Sequence, residues 1–322
     1  MHKSLVLVAG LLLSMGVAGV SAQATFPNKP IRLLVGFEPG GPNDTQARIV
    51  GQKVGETIGQ NVVVENRPGA DGIIAGDLVA KSAPDGYALL LASAGHAINP
   101  NFVKSLPYHP VNDFAAVAYV SSAPFFLVVH PSLPVQTTAE FIAYAKARPG
   151  QMHYGSAGNG SSLMMAMELF ANTAGLKLDH VPYKGGAPAT ADLIAGRVQA
   201  MMNNAASSLP NGRAGKLRVL AATTAQRSPL APDVPTVGET LPGFEVDAWY
   251  GILTAKGAPV PVVARLNAEI NKALVTADVK QRFGTLGLTP VGGAPEVFGK
   301  LLQTEVTKWA KVVKDSGIKM EE

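Results

Sequence analysis

Apolar residues along this 322-residue chain fall into short unbroken runs separated by stretches in which they recur every three or four positions. Residues 31–37 (Ile-Arg-Leu-Leu-Val-Gly-Phe) make one such run, as do 62–65, 87–92, 125–129, 198–202, 217–221 and 249–253; each reads as a buried strand. Between them, Ala47, Val50, Val54 and Ile58 define a helix that Gly59 ends, with Asn43 or Asp44 as the expected N-cap. Further helices are predicted over 73–81, over 141–148 behind the capping box Thr137-x-x-Glu140, and over 187–195 up to Gly196. Leu163, Ala166, Met167, Phe170 and Ala174 mark another, stopped by Gly175. Two long helices, 262–275 and 295–315, finish the chain, and the stripe Phe298, Leu302, Val306, Trp309, Val313 in the last reads as core. Strands alternating with helices predict an α/β fold with a parallel or mixed sheet and ligands outside the carboxyl ends of its strands.

Two strand-to-helix connections share one build. The central one, residues 154–162 (Tyr-Gly-Ser-Ala-Gly-Asn-Gly-Ser-Ser), runs into the helix of Leu163 and Phe170; the other, 38–44 (Glu-Pro-Gly-Gly-Pro-Asn-Asp), runs into the helix of Ala47. A glycine-rich loop that opens a helix offers unpaired backbone N–H groups and the positive end of the helix dipole, and serine or asparagine adds side-chain donors. Both loops therefore suit a carboxylate or a similar anion. Ser93-Ala94-Gly95-His96 lies at another strand end, and Lys184 and Arg67 are the nearest basic residues to these loops.

The ends and the composition narrow the class. A basic start, the apolar run 5–13 and the small-residue site Ala22-x-Ala24 describe a secretory signal peptide cleaved after Ala22 or Ala24. No cysteine is present, which removes disulfides, thiol catalysis and thiolate metal sites. Lys and Arg total 27 against 23 acidic residues, a mildly basic balance that fits small anions and argues against nucleic acid.

The histidines (2, 96, 109, 130, 153 and 180) form no HExxH pair and there is no CxxC, so the spacing points to no metal site. Tyr154 stands where a nucleophile elbow needs its first glycine, and no phosphate-cradling GxxxxGK[ST] exists, so no cofactor is expected. An exported hydrolase would draw on Ser156 or Ser161 as nucleophile and His96 or His153 as base. The inventory favours holding a small anion over transforming it.

Several motifs in register carry a resemblance over essentially the whole mature chain. They are Phe37-x-Pro39-Gly40-Gly41-x-x-Asp44, Glu65-Asn66-Arg67-Pro68-Gly69-Ala70, Ala83-Pro84-Asp85-Gly86-Tyr87, Gly155-Ser156-Ala157-Gly158-Asn159-Gly160, His180-Val181-Pro182-Tyr183-Lys184-Gly185 and Pro232-Asp233-Val234-Pro235. The chain resembles the substrate-binding receptors of tripartite tricarboxylate transporters (Bug-type receptors). The resemblance implies a periplasmic-binding-protein type II (Venus flytrap) fold: residues 1–24 a signal peptide, 25–126 with 248–322 the first lobe, and 127–247 the second, each lobe a mixed sheet flanked by helices. It implies a small carboxylate (di- or tricarboxylate, acidic amino acid or aromatic acid) trapped in the cleft without chemistry. The ligand passes to a membrane permease or, in a sensory variant, is presented to a sensor kinase. By position the first-lobe contacts are Phe37, Gly40, Gly41, Asn43, Asp44, Ser93, Ala94 and His96, and the second-lobe contacts are Ser156, Gly158, Asn159, Ser161, Ser162, Lys184 and Asn203. Hinge motion is expected near 125–129 and 247–251. Three departures from the family pattern stand out: Glu38 replaces a neutral residue, Pro42-Asn43 a Ser/Pro-Thr pair, and Asn203 an aspartate.

Overall fold

A computed structural model describes residues 26–318, so the signal-peptide reading lies outside the described residues. In chain order the elements are β1 (Ile31–Val35), α1 (Pro42–Ile58), β2 (Val62–Asn66), α2 (Ile73–Ala80), β3 (Ala88–Ser93), α3 (Ala94–Ile98), β4 (Phe114–Val129), α4 (Thr138–Lys146), β5 (His153–Ser156) and α5 (Ser162–Ala174). There follow β6 (Asp179–Pro182), α6 (Gly186–Ile194), β7 (Ala200–Asn204), α7 (Ala205–Arg213), β8 (Arg218–Ala222), β9 (Asp247–Ala255), α8 (Val260–Leu274), α9 (Ala277–Thr285), β10 (Thr289–Pro290) and α10 (Pro295–Ser316).

The strands hydrogen-bond in the order β2-β1-β3-β9-β4-β7-β5-β6, with β8 and β10 also on β4. Pairing is parallel within β2-β1-β3 and within β7-β5-β6, and antiparallel wherever β9 or β4 takes part. β4 is the common member. Its residues up to Pro124 pair with β9, and from Phe125 onward it pairs with β7 and β8. The two halves of the sheet thus meet along one strand, and β9 begins at Asp247, opposite Pro124.

Burial explains the unbroken apolar runs. In β1, Ile31, Leu33 and Val35 enter a core shared with α1, α8 and α9, whereas Leu34 enters the core beneath α2, α3 and α10. A strand covered on both faces has no solvent face to mark with polar residues. α10 ties the halves together: it packs on β4, α3 and α5, burying Phe298, Leu302, Trp309 and Val312. The expected stripe is shifted by one position in its last turns, because Glu305 and Val312 are buried while Val306 and Val313 are only partly covered. Glu305 is tolerated there because its Oε2 accepts Nε1–H bonds from Trp249 (3.0 Å) and Trp309 (2.8 Å), and Lys308 pairs with it.

Three of the longer elements lacked a sequence signal. α7 (Ala-Ala-Ser-Ser-Leu-Pro-Asn-Gly-Arg) contains Pro210 and little periodicity, yet forms because Asn204 Oδ1 caps it through the Ser207 N–H (2.9 Å). α9 buries only Val279 and Phe283. The first two-thirds of β4 are rich in alanine and serine, and pairing with β9 overrides their weak strand preference.

Candidate functional site

The second glycine loop leaves β5 and enters α5. Ser161 is the N-cap: its backbone is extended (φ −66°, ψ 149°) and its Oγ accepts the Met164 N–H at 3.3 Å. The first turn of α5 contains no acidic residue, so the Ser162 and Leu163 N–H groups and the dipole stand unopposed. The loop needs glycine at 158, where φ is +122° and a Cβ would come 3.1 Å from the Tyr183 carbonyl oxygen. Lys184 and Gly185 sit beside this helix end and open a second one, α6, also without an acid in its first turn.

The first glycine loop has another electrostatic finish. The N-cap of α1 is Gly41, not Asn43 or Asp44, because Pro42 takes the first helical position, where its fixed φ and missing N–H cost nothing. Asp44 then falls in the first turn and faces inward. Its Oδ2 accepts Gly40 N–H (2.9 Å) and Arg48 Nε–H (3.0 Å), and its Oδ1 accepts Asn66 Nδ2–H (2.9 Å). Arg48 above all holds this carboxyl at about 2. The positive end of α1 is therefore already answered from within.

A cleft of about 780 Å³ lies between these loops. Phe37, Glu38, Pro39, Gly41, Pro42, Asn43, Asp71, Ser93, Ala94 and Gly95 line one wall, Ser161, Ser162, Lys184 and Gly185 the other, and Ala248, Trp249 and Tyr250 of β9 the back. The Trp249 indole is fixed by its bond to Glu305.

Of the expected contacts, Phe37, Gly41, Asn43, Ser93, Ala94, Ser161, Ser162 and Lys184 line this cleft; Gly40, Asp44, His96, Ser156, Gly158, Asn159 and Asn203 do not. His96 is buried behind the first wall, its Nε2–H on the Pro110 carbonyl (2.9 Å), and burial pushes its pKa down to about 4. Ser156 Oγ is 2.6 Å from His180 Nε2 and also accepts the Gly158 N–H. Asn203 is buried, donating to Thr190 Oγ1 (2.9 Å) and accepting from Asn204 N–H (2.9 Å). Asn159 stands exposed on the loop.

The serine–histidine pairs of a hydrolase are not assembled as expected. Ser156 meets His180 instead of His96 or His153, Ser161 caps α5, and His153 lies 3.7 Å from Asp179 at the surface. Asp71, Trp249 and Tyr250 entered the cleft without a sequence signal, the two aromatics having read as strand.

A model of the tripartite tricarboxylate transporter family receptor matches residues 46–318. The chain belongs to this receptor family. It is 36% identical to protein BugT of Bordetella pertussis, covering 99% of each chain. Among solved structures it is similar to R. palustris Rpa4515 with adipate (34% identity, TM-score 0.78, covering 92% of this chain and 100% of that one). It is similar also to MatC from Rhodopseudomonas palustris with bound malate (34% identity, TM-score 0.74, covering 89% and 100%). The fold is the two-lobe fold of these binding proteins, and the family is one of receptors rather than enzymes.

Proposed function

We propose that this receptor is periplasmic, exported by the signal peptide at 1–24, and captures a small carboxylate in the cleft for delivery to the permease of a tripartite tricarboxylate transporter. The observation that carries the reading is the α5 end of the cleft, where uncapped N–H groups, the Ser162 hydroxyl and Lys184 face one space. Adipate and malate in the two related structures support the ligand class. Direct contacts are assigned to Phe37, Gly41, Asn43, Ser93, Ala94, Ser161, Ser162 and Lys184, with Asp44, His96, Ser156 and Asn203 supporting the walls from behind.

Residues 25–126 with 248–322 form the first lobe and 127–247 the second in this reading. The hinge is where β4 changes partners between Pro124 and Phe125 and where β9 begins. Closure there buries the ligand and creates the surface a permease recognises. Native mass spectrometry of the purified mature protein, with a thermal-shift screen of carboxylates, tests the reading. A ligand that binds only the folded state raises the melting temperature by mass action. One intact carboxylate carried through, or one strong stabiliser, is the expected result; consumption of a compound without stabilisation contradicts it.

A further inference from the structure

Three charged side chains line the cleft, and they are segregated by sign: Glu38 and Asp71 on the first wall, Lys184 on the second. None of them has an ion-pair partner among the described residues. The second wall adds two helix ends free of acidic residues, whereas the first wall's helix end is occupied by Asp44. The cleft is therefore polar from wall to wall, with a place for one anion and an unmatched negative pole opposite.

Asp71 is the sharper half of that pole. It is the one non-glycine residue with positive φ among the described residues (φ 51°, ψ 41°), a conformation that costs an L-residue about 1 kcal/mol and is retained most often where function needs it. Its backbone is pinned by Asn99 Nδ2, which donates to the Asp71 carbonyl at 3.1 Å. Its carboxylate lies over the bare Cα of Gly95, where a Cβ would stand 2.7 Å from Oδ2. The residue as a whole is exposed to solvent, no described residue supplies its carboxylate with a donor or cation, and the packing around that carboxylate pushes its pKa up to about 6.

We infer that the ligand carries a cationic nitrogen as well as a carboxylate, bound with the carboxylate toward Ser162 and Lys184 and the ammonium toward Asp71, with Glu38 adding attraction from the rim. A plain dicarboxylate would bring its second anion against two unpaired carboxylates, which like-charge repulsion opposes. This rests on the cleft being the ligand site.

The titratable groups around Asp71 are His96 on α3, held neutral by burial, Tyr108, whose phenol is raised by burial and by Asp71 itself, Asp77 on α2, paired with Lys81, and Glu38. Asp71 must be ionised to hold an ammonium. Affinity for an amino ligand is therefore full above pH 7 and falls as pH drops through 6, by about tenfold at pH 5, because only the ionised fraction is competent.

The test is calorimetric titration of the full mature protein with two matched pairs, 6-aminohexanoate against adipate and aspartate against malate. The amino member of at least one pair binds ten-fold tighter or better, loses that advantage in Asp71→Asn, and weakens toward pH 5. Asp71→Gly, which fits the left-handed backbone without strain, does the same and controls for misfolding. Tighter binding of adipate or malate, or an unchanged preference in both variants, overturns the inference and leaves the receptor reading standing. If no member of a wider carboxylate panel binds the folded protein, both fall.

Discussion

The two glycine loops are near twins in sequence and opposites in charge. Each leaves a parallel strand, turns through glycines and enters a helix that borders the same cleft. The loop before α5 closes on a neutral cap, Ser161, and leaves its helix end open to a ligand. The loop before α1 closes on Gly41 and Pro42, sends Asp44 into its own helix end and presents Glu38 to the cleft. A glycine-rich turn thus fixes backbone geometry, and whether it attracts an anion depends on which side chain first reaches the exposed N–H groups.

The largest effect expected from breaking this contrast comes from giving the second loop the first one's charge. Ser162→Asp places a carboxylate where the ligand's own belongs and should weaken carboxylate binding at least about a hundredfold in calorimetry. The helix should be no less stable, since an acid suits a helix N-terminus. Lys184→Gln comes next, with about a tenfold loss from removing one charge-assisted contact and little change in melting temperature, the side chain being exposed.

Asp44→Asn should act on stability instead of affinity. A carboxyl whose pKa falls from 3.8 to about 2 on folding stabilises the native state above pH 4, and that contribution is lost as pH falls toward 2. Because Arg48 is half exposed, the expected cost at pH 7 is about 1 kcal/mol by denaturant unfolding, with the wild-type advantage vanishing in acid. Glu38→Gln is the smallest: about a two- to threefold change in affinity, in favour of purely anionic ligands, as befits an exposed rim charge.

How much of this was legible in the sequence follows from how local each cause is. α5 could be read with its stop because Gly175 acts within one turn of itself, whereas its Ser161 cap emerged only with the structure. The cap of α1 was misplaced because Asn43 and Asp44 are both good caps, and Pro42, which excludes them by taking the first turn, was read only as loop. Ser156 and Asn203 looked available in the chain, but their polar atoms are taken by His180 and Thr190, partners that only the folded sheet brings near. Asp71 gave no signal at all. Its role depends on a left-handed backbone between two glycines and on Gly95 from another element.

The central claim, that the ligand's carboxylate is held by the second loop and not the first, is tested most directly by amide NMR. In 15N-labelled protein titrated with the strongest stabiliser of the thermal screen, the Ser162 and Leu163 amides should move downfield as they take up a charged acceptor. The Asn43 and Asp44 amides should move less. A downfield shift confined to Asn43 and Asp44, with Ser162 and Leu163 unmoved, would contradict the account.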